Sequence, residues 1–350
     1  MKRDDVLADI AANKTLSGDF SGVNLSGADL TGGRFWGADL SGADLSGANI
    51  QKTGFKDCAM RGAKFAGTDL TKLDLRGVDL SGADFRGAVI FMTNFSKADL
   101  TQANFSETAV RWAIMQRSNL TQADFTKAKV EKLLLQWATL ARTDFSGADL
   151  VRMVILETDL TSARFAGASF FKCVLRKCDL RQKDFRGAAF STVLADECDL
   201  SDADFSGANA GMCNFRKAKL NRAKFVNASV KNAMFLEASL QKTDFTGADL
   251  EQSFFGQADL AGTVFTGARL KSAGFPQAGC RGTIFKNAGL SYADFTRADL
   301  TFADFSGADL TMAKLHGVLD ENTFWDEAKT VKLRGHDPDL EEAETWTPPA

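Results

Sequence analysis

Histidine and proline are nearly missing from this chain: two histidines and four prolines occur in 350 residues. So few imidazoles leave little room for acid–base catalysis or metal binding by histidine. Also missing is any apolar run close to the ~18 residues that a membrane-spanning helix needs, so no membrane span is expected. Charge of one sign is not in excess either. Lys plus Arg number 42 against 45 Asp plus Glu, a net charge of −3, and no whole-chain field points to nucleic acid or an acidic substrate. The opening MKRDDVLADIAANK has acids where a signal peptide needs an apolar centre, so a cytoplasmic location is expected. What remains is 45% hydrophobic and 25% charged, a composition able to build a core.

The pattern of that core is a strict period of five. Large apolar residues occupy Phe20, Leu25, Leu30, Phe35, Leu40, Leu45, Ile50 and Phe55, and the series runs to Leu310 and Leu315, sixty units without an insertion or deletion. Only Ala195, Ala210 and Cys280 put a small residue there, and the position two places earlier is usually small. Neither regular element accommodates this spacing. On an α-helix each repeat would precess by roughly 140°, and on a flat strand an odd step would alternate faces. The chain must therefore turn once per five residues, which makes a solenoid whose coils bury each other's cores. Residue type further repeats every twenty: Phe65, Phe85, Phe105 and onward to Phe305 form one column, and Leu80 to Leu260 another. One coil is then four-sided, and sixty pentads make about fifteen coils. At roughly 4.8 Å per coil this predicts a rod on the order of 70 Å long.

The units GADLS, GADFS, GANIQ and RADLT resemble the pentapeptide-repeat family over residues 16–317. That resemblance implies an all-β fold, a right-handed quadrilateral β-helix (β-solenoid) with short terminal caps. Residues 1–15 read as an N-terminal capping helix, with Val6, Leu7 and Ile10 toward the first coil. Residues 318–335 read as a C-terminal cap acting through Val318, Leu319, Phe324 and Trp325, and 336–350 as an acidic flexible tail.

Catalytic chemistry finds no foothold in the pattern. His316 and His336 lie at or beyond the end of the repeat, away from any spaced nucleophile. Asp29, Asp39, Asp44 and Asp79 sit one place before an inward residue, where a carboxylate accepts backbone N–H groups of the turn. Cys58, Cys173, Cys178, Cys198 and Cys213 take the small inward slot and Cys280 the large one, as buried small hydrophobes do. Cys178 and Cys198 stand one coil apart, and Lys183 takes an inward slot, where it either snorkels or marks a bulge. No cofactor, metal or small-molecule substrate is expected.

One side of the coil has a different outward residue. Just before the inward position, Asp fills nine of fifteen places in the column from Asp19, eight in the column of Asp44 and five in that of Asp29. The fourth column has two, Asp74 and Asp294, and its middle reads Ile114, Leu134, Val154, Val174 and Leu194. Trp112, Trp137, Leu156 and Phe171 lie beside this apolar stripe, as do Arg111, Arg117, Lys132, Arg152, Lys172, Arg176 and Lys177. Trp36 is farther along the same side. Aliphatic ladders also help strands stack, but exposed aromatics and arginines match the composition of an interface. The sequence thus points to a non-enzymatic protein–protein interaction scaffold or adaptor that binds a protein partner or its own copy. The family resemblance adds two suggestions, a role accessory to bacterial secretion and mimicry of DNA toward a type II topoisomerase. Mimicry needs a densely acidic surface, and here Arg61, Lys64, Arg164, Arg181, Lys219 and Lys224 interrupt the Asp columns. Direct nucleic-acid binding is not expected, because the stripe is more aliphatic than a base-stacking platform.

Overall fold

The computed structural model describes residues 2–339 and 341. It falls into two compact units, one ending at Asp179 and the other beginning at Leu180. Both are stacks of parallel coils in which residue i pairs with residue i+20, forming a β-solenoid. The five-residue period explains the local geometry. Each pentad puts a small and a large residue inside, two places apart with an outward residue between them, and then turns. The second residue of nearly every turn has φ near +60°, whether it is glycine or not, Ser162 being an exception. That conformation is free for Gly22 but costs other residues about 1–2 kcal/mol.

The first unit opens with helix α1 (Arg3–Ala11), whose Val6 is fully buried while Leu7 and Ile10 are half-buried. Arg3 donates to the Ser26 carbonyl at 2.7 Å, which ties the helix to the first coils. Strands β1 (Thr15–Asp19), β2 (Arg34–Asp39) and β3 (Gly54–Lys56) pair in parallel in that order. A longer ladder joins β4 (Ile90–Phe91), β5 (Ala109–Arg111), β6 (Lys129–Glu131), β7 (Asp149–Val151) and β9 (Ser169–Phe171). On the adjoining side β8 (Val154–Leu156) pairs with β10 (Val174–Arg176). Elsewhere the coils meet through single bridging residues.

Inside, Phe65, Phe85, Phe105, Phe125, Phe145 and Phe165 stack in a column with ring centroids 4.6–5.4 Å apart. The second unit carries two such columns, with Phe225 to Phe305 meeting Phe235 to Phe295 edge to face. Each buried Phe contributes about 1.5–3 kcal/mol by leaving water, and favourable ring geometry adds about 0.5–1.5 kcal/mol per pair. Volume is traded within coils. Where the small slot grows to Leu133 or Met153, the large slot holds Leu135 or Ile155, and all four are fully buried.

The pairing ladder does not stop at residue 317. Asp299, Asp304, Asp309 and Lys314 bridge to Leu319, Phe324, Lys329 and Arg334, so residues 318–335 form one more coil. Trp325 continues the inward column, stacked on Phe305 at 4.6 Å. Leu319 and Phe324, expected to cover the end, instead take outward places and are 63% and 54% exposed. The physical reason is register. They stand one residue before the inward slot, as the aspartates do elsewhere. Of the expected tail, residues 340 and 342–350 lie outside the described residues.

Candidate functional site

The aspartates work for the fold. In Asp19, Asp29, Asp39, Asp44 and Asp79 one carboxylate oxygen accepts the amide N–H two residues on, at 2.8–3.1 Å. The Ser46 hydroxyl and then its amide hold the Asp44 carboxyl below the usual range; Thr31 does the same for Asp29. Arginine forks add to this at Asp74 and Asp84, each bound by the Arg two residues later, with the closest contact 2.7 Å. These carboxylates are therefore engaged in closing their own turns.

All six cysteines are buried. Burial pushes the Cys173 thiol up to about 11 and the Cys213 thiol up to about 12, which keeps both protonated. Their S–H groups point at coil carbonyls, Cys173 at Leu150 (3.1 Å) and Cys213 at Phe190 (2.9 Å). Lys183 is half-buried in its inward slot, and its carbonyl accepts the Asp204 N–H at 2.9 Å. The two histidines come together at the C-terminal end of the second unit. Their rings stack 5.2 Å apart, His316 Nδ1 accepts the Asp337 N–H at 3.0 Å, and His336 Nε2 lies 2.9 Å from Glu341. Among the described residues no group of three or more His, Cys, Asp or Glu is placed to hold a metal ion. No described helix is long and apolar enough to cross a membrane.

The rewritten column is a physical feature of the first unit. Ile114 bridges Leu134 and Leu134 bridges Val154, while the β8–β10 register sets Val154 against Val174. All four are half-buried, with branched side chains lying abreast on the outside of the coils. Leu194 belongs to the second unit, where it is 41% exposed and bridges Asn214.

Along one edge of this face the chain stays extended one residue longer than at ordinary corners, which is why β5, β6, β7 and β9 end at Arg111, Glu131, Val151 and Phe171. The next residue at each corner is left-handed: Trp112, Lys132, Arg152 and Lys172 have φ of 53–56°. Lys132 Nζ sits 3.6 Å above the Trp112 ring, Lys172 Nζ 5.0 Å from the Phe171 ring, and Arg152 3.6 Å from Glu131. Phe91 and Met92, which the sequence reading left out, extend this edge by one coil; the Phe91 ring is 6.2 Å from Trp112. Their signal was present, since each stands twenty residues before a residue of the edge.

The opposite edge carries Gln116, Gln136, Leu156 and Arg176, followed by the left-handed Arg117, Trp137, Glu157 and Lys177. Gln116 donates to Gln136, and the Arg117 guanidinium lies 5.1 Å from the Trp137 ring. Trp137 is 55% exposed at φ 55°, a conformation that a bulky residue rarely adopts. The corner conformation itself is common to the repeat, so what sets Trp112 and Trp137 apart is a large exposed ring placed beside an aliphatic floor.

Beyond Ile114 the same side sinks into an open depression of about 750 Å³, lined by Lys56, Asp74, Arg76, Asn94, Ser96 and Gln116 among others. Trp36 stands past it, 54% exposed, with Lys56 Nζ 4.0 Å from its ring. The site is thus an aliphatic floor between two edges of aromatic rings capped by cations. It offers shape, apolar area and an excess of positive charge.

Comparison with known proteins agrees with the repeat. The profile described as pentapeptide repeats (8 copies) matches residues 19–57, 55–90, 93–131, 103–140, 118–152, 134–171 and 280–318, and a pentapeptide repeat region matches 188–265. No curated protein sequence matches the chain. Among solved structures, a pentapeptide repeat protein from the Arabidopsis thaliana thylakoid lumen is 28% identical, with 31% of this chain and 66% of that one covered and a TM-score of 0.22. HetL of the cyanobacterium Nostoc sp. strain PCC 7120, involved in heterocyst differentiation regulation, is 22% identical over 94% of this chain and 95% of its own (TM-score 0.14). The plasmid-mediated fluoroquinolone resistance protein QnrB1 is 16% identical over 61% and 98% respectively (TM-score 0.29). Those scores are low, and the assignment rests on the repeat matches, which span more than half of the sequence. The chain belongs to the pentapeptide-repeat family.

Proposed function

We propose that this chain is a non-enzymatic interaction scaffold whose first unit docks a protein partner on the stripe Ile114–Leu134–Val154–Val174. One observation carries the reading. Trp112 and Trp137 are held exposed in left-handed corners, under cations, on either side of an aliphatic floor. Aromatic and arginine anchors around an apolar centre are the composition that dominates binding energy at protein interfaces. Stacking of the coils alone explains the aliphatic ladder, but it does not explain exposed tryptophans on both sides of it. The contrasting reading, an acidic surface imitating DNA, loses support from the carboxylates. They are committed to their own turns, and cations interleave with them, as in Arg61–Asp79 (2.6 Å) and Arg164–Asp144 (2.8 Å).

The test is paired affinity capture, using the wild-type chain and a variant with Leu134→Glu, Val154→Glu and Val174→Glu, both shown folded by circular dichroism. A protein recovered by the first and lost from the second supports the docking surface. Identical recoveries would return the stripe to the role of sheet packing.

A further inference from the structure

The edges of the stripe specify the partner's charge. Arg111, Lys132, Arg152 and Lys172 line one edge and Arg117 and Lys177 the other, against only Glu131 and Glu157 among these corner positions. Lys132, Lys172 and Arg117 rest on aromatic rings, an arrangement that leaves donors on the solvent side for a carboxylate. A complementary occupant therefore combines acidic residues with a few large apolar ones.

The chain itself contains a segment of this kind. Residues 336–350, HDPDLEEAETWTPPA, hold five carboxylates, no lysine or arginine, and the apolar pair Leu340 and Trp346. The start of the segment is anchored at the end of the second unit, where the Asp337 N–H meets His316 and His336 meets Glu341. Nine residues of fully extended chain span at most about 30 Å at ~3.3 Å each. The floor from Ile114 to Val174 spans three coil steps, about 14 Å at ~4.8 Å each.

We propose that the stripe of one copy receives the C-terminal segment of a second copy, with Leu340 and Trp346 over the aliphatic floor and Glu342 and Glu344 against Lys132, Arg152 and Lys172. The proposal rests on the reading of the stripe as a docking surface and adds the identity of what docks.

Sedimentation velocity on full-length chains tests it through two variants, each checked by circular dichroism. The rim variant carries Lys132→Glu, Arg152→Glu and Lys172→Glu; the tail variant carries Glu342→Lys, Glu344→Lys and Trp346→Ser. The wild type should associate with rising concentration, and the association should weaken roughly tenfold or more between about 0.05 and about 0.5 M salt. Each variant alone should stay monomeric. An equimolar mixture should associate again, because the tail of the rim variant meets the intact rim of the tail variant. A wild type that is monomeric throughout, association unchanged in either variant, or a silent mixture would overturn the proposal. If the wild type is monomeric while the Leu134/Val154/Val174 variant still loses a captured protein, the docking surface stands and only its self-occupation fails.

Discussion

The same outward column has opposite fates in the two units. In the first its middle reads Ile114, Leu134, Val154 and Val174, four half-buried side chains abreast. In the second it reads Leu194, Asn214, Met234, Phe254, Gly274, Asp294 and Lys314, so the aliphatic run shortens to Leu194 and Met234 among polar and small residues. Phe254 is apolar and outward too, yet its ring lies over its own glycines. A Cβ at Gly274 would come within 2.8 Å of the ring, one at Gly256 within 2.5 Å, and Pro276 closes the side. An outward aromatic bedded on glycine is packing completed within the chain. A floor of aliphatics edged by exposed tryptophans is packing left incomplete, and that difference separates a candidate interface from a surface ornament of the sheet.

Core substitutions should not distinguish the units. Phe125→Ala and Phe235→Ala each remove a fully buried, stacked ring and should each cost about 3–5 kcal/mol in denaturant unfolding. A much smaller loss in one unit would show that its core is looser. The surface should separate them. Leu134→Glu with Val154→Glu and Val174→Glu should weaken partner binding by about 2 kcal/mol or more, while Met234→Glu leaves it unchanged; titration of the captured partner reads both. Conversely, Gly274→Val should force the Phe254 ring from its bed at a cost of about 1–3 kcal/mol, seen as a lower Tm and new binding of an apolar dye.

Acid should act on the faces that flank the stripe. Asp29 and Asp44 in the first unit and Asp184 in the second have carboxyls held below their ordinary value, chiefly by side-chain hydrogen bonds from Thr31, Ser46 and Arg186. A depressed folded-state value means the contribution is present above the unfolded carboxylate value, about 3.9. It is lost as pH falls through the lower folded value. Melting temperature should be flat from neutral pH to about 5 and drop below about 4 in both units. The smallest expected effect is at Trp137→Gly. Relief of a left-handed bulky residue, about 1–2 kcal/mol, is offset by glycine's entropy and the lost contact with Arg117, so stability should change by less than about 1 kcal/mol while partner binding falls. Asparagine at the same place should behave alike, since it tolerates that backbone.

Much of this was legible in the sequence, because a period of five has a single structural solution and the backbone repeats it without interruption. The turn-closing aspartates and the buried cysteines followed from their slots. The final coil did not, since Asp320, Thr330 and Gly335 fill its large slots and hide the period. Backbone pairing carries that coil, with Trp325, Val318 and Leu333 as its apolar remnant. The stripe was visible as a column of replaced aspartates. Which outward residues are covered was not, because Phe254 finds its cover two and twenty residues away, at Gly256 and Gly274. Nor did the pattern of residues reveal that Trp112 and Trp137 carry positive φ, although nearly every residue two places past an inward one shares that corner.

The central claim, that the incomplete face of the first unit is where a partner sits, is tested most directly by hydroxyl-radical footprinting of the captured complex beside the free chain. The account predicts protection of Trp112, Leu134, Trp137 and Phe171, with Met234 and Tyr292 of the second unit labelled equally in both samples. Unchanged labelling at the tryptophans, or protection confined to the second unit, would contradict it.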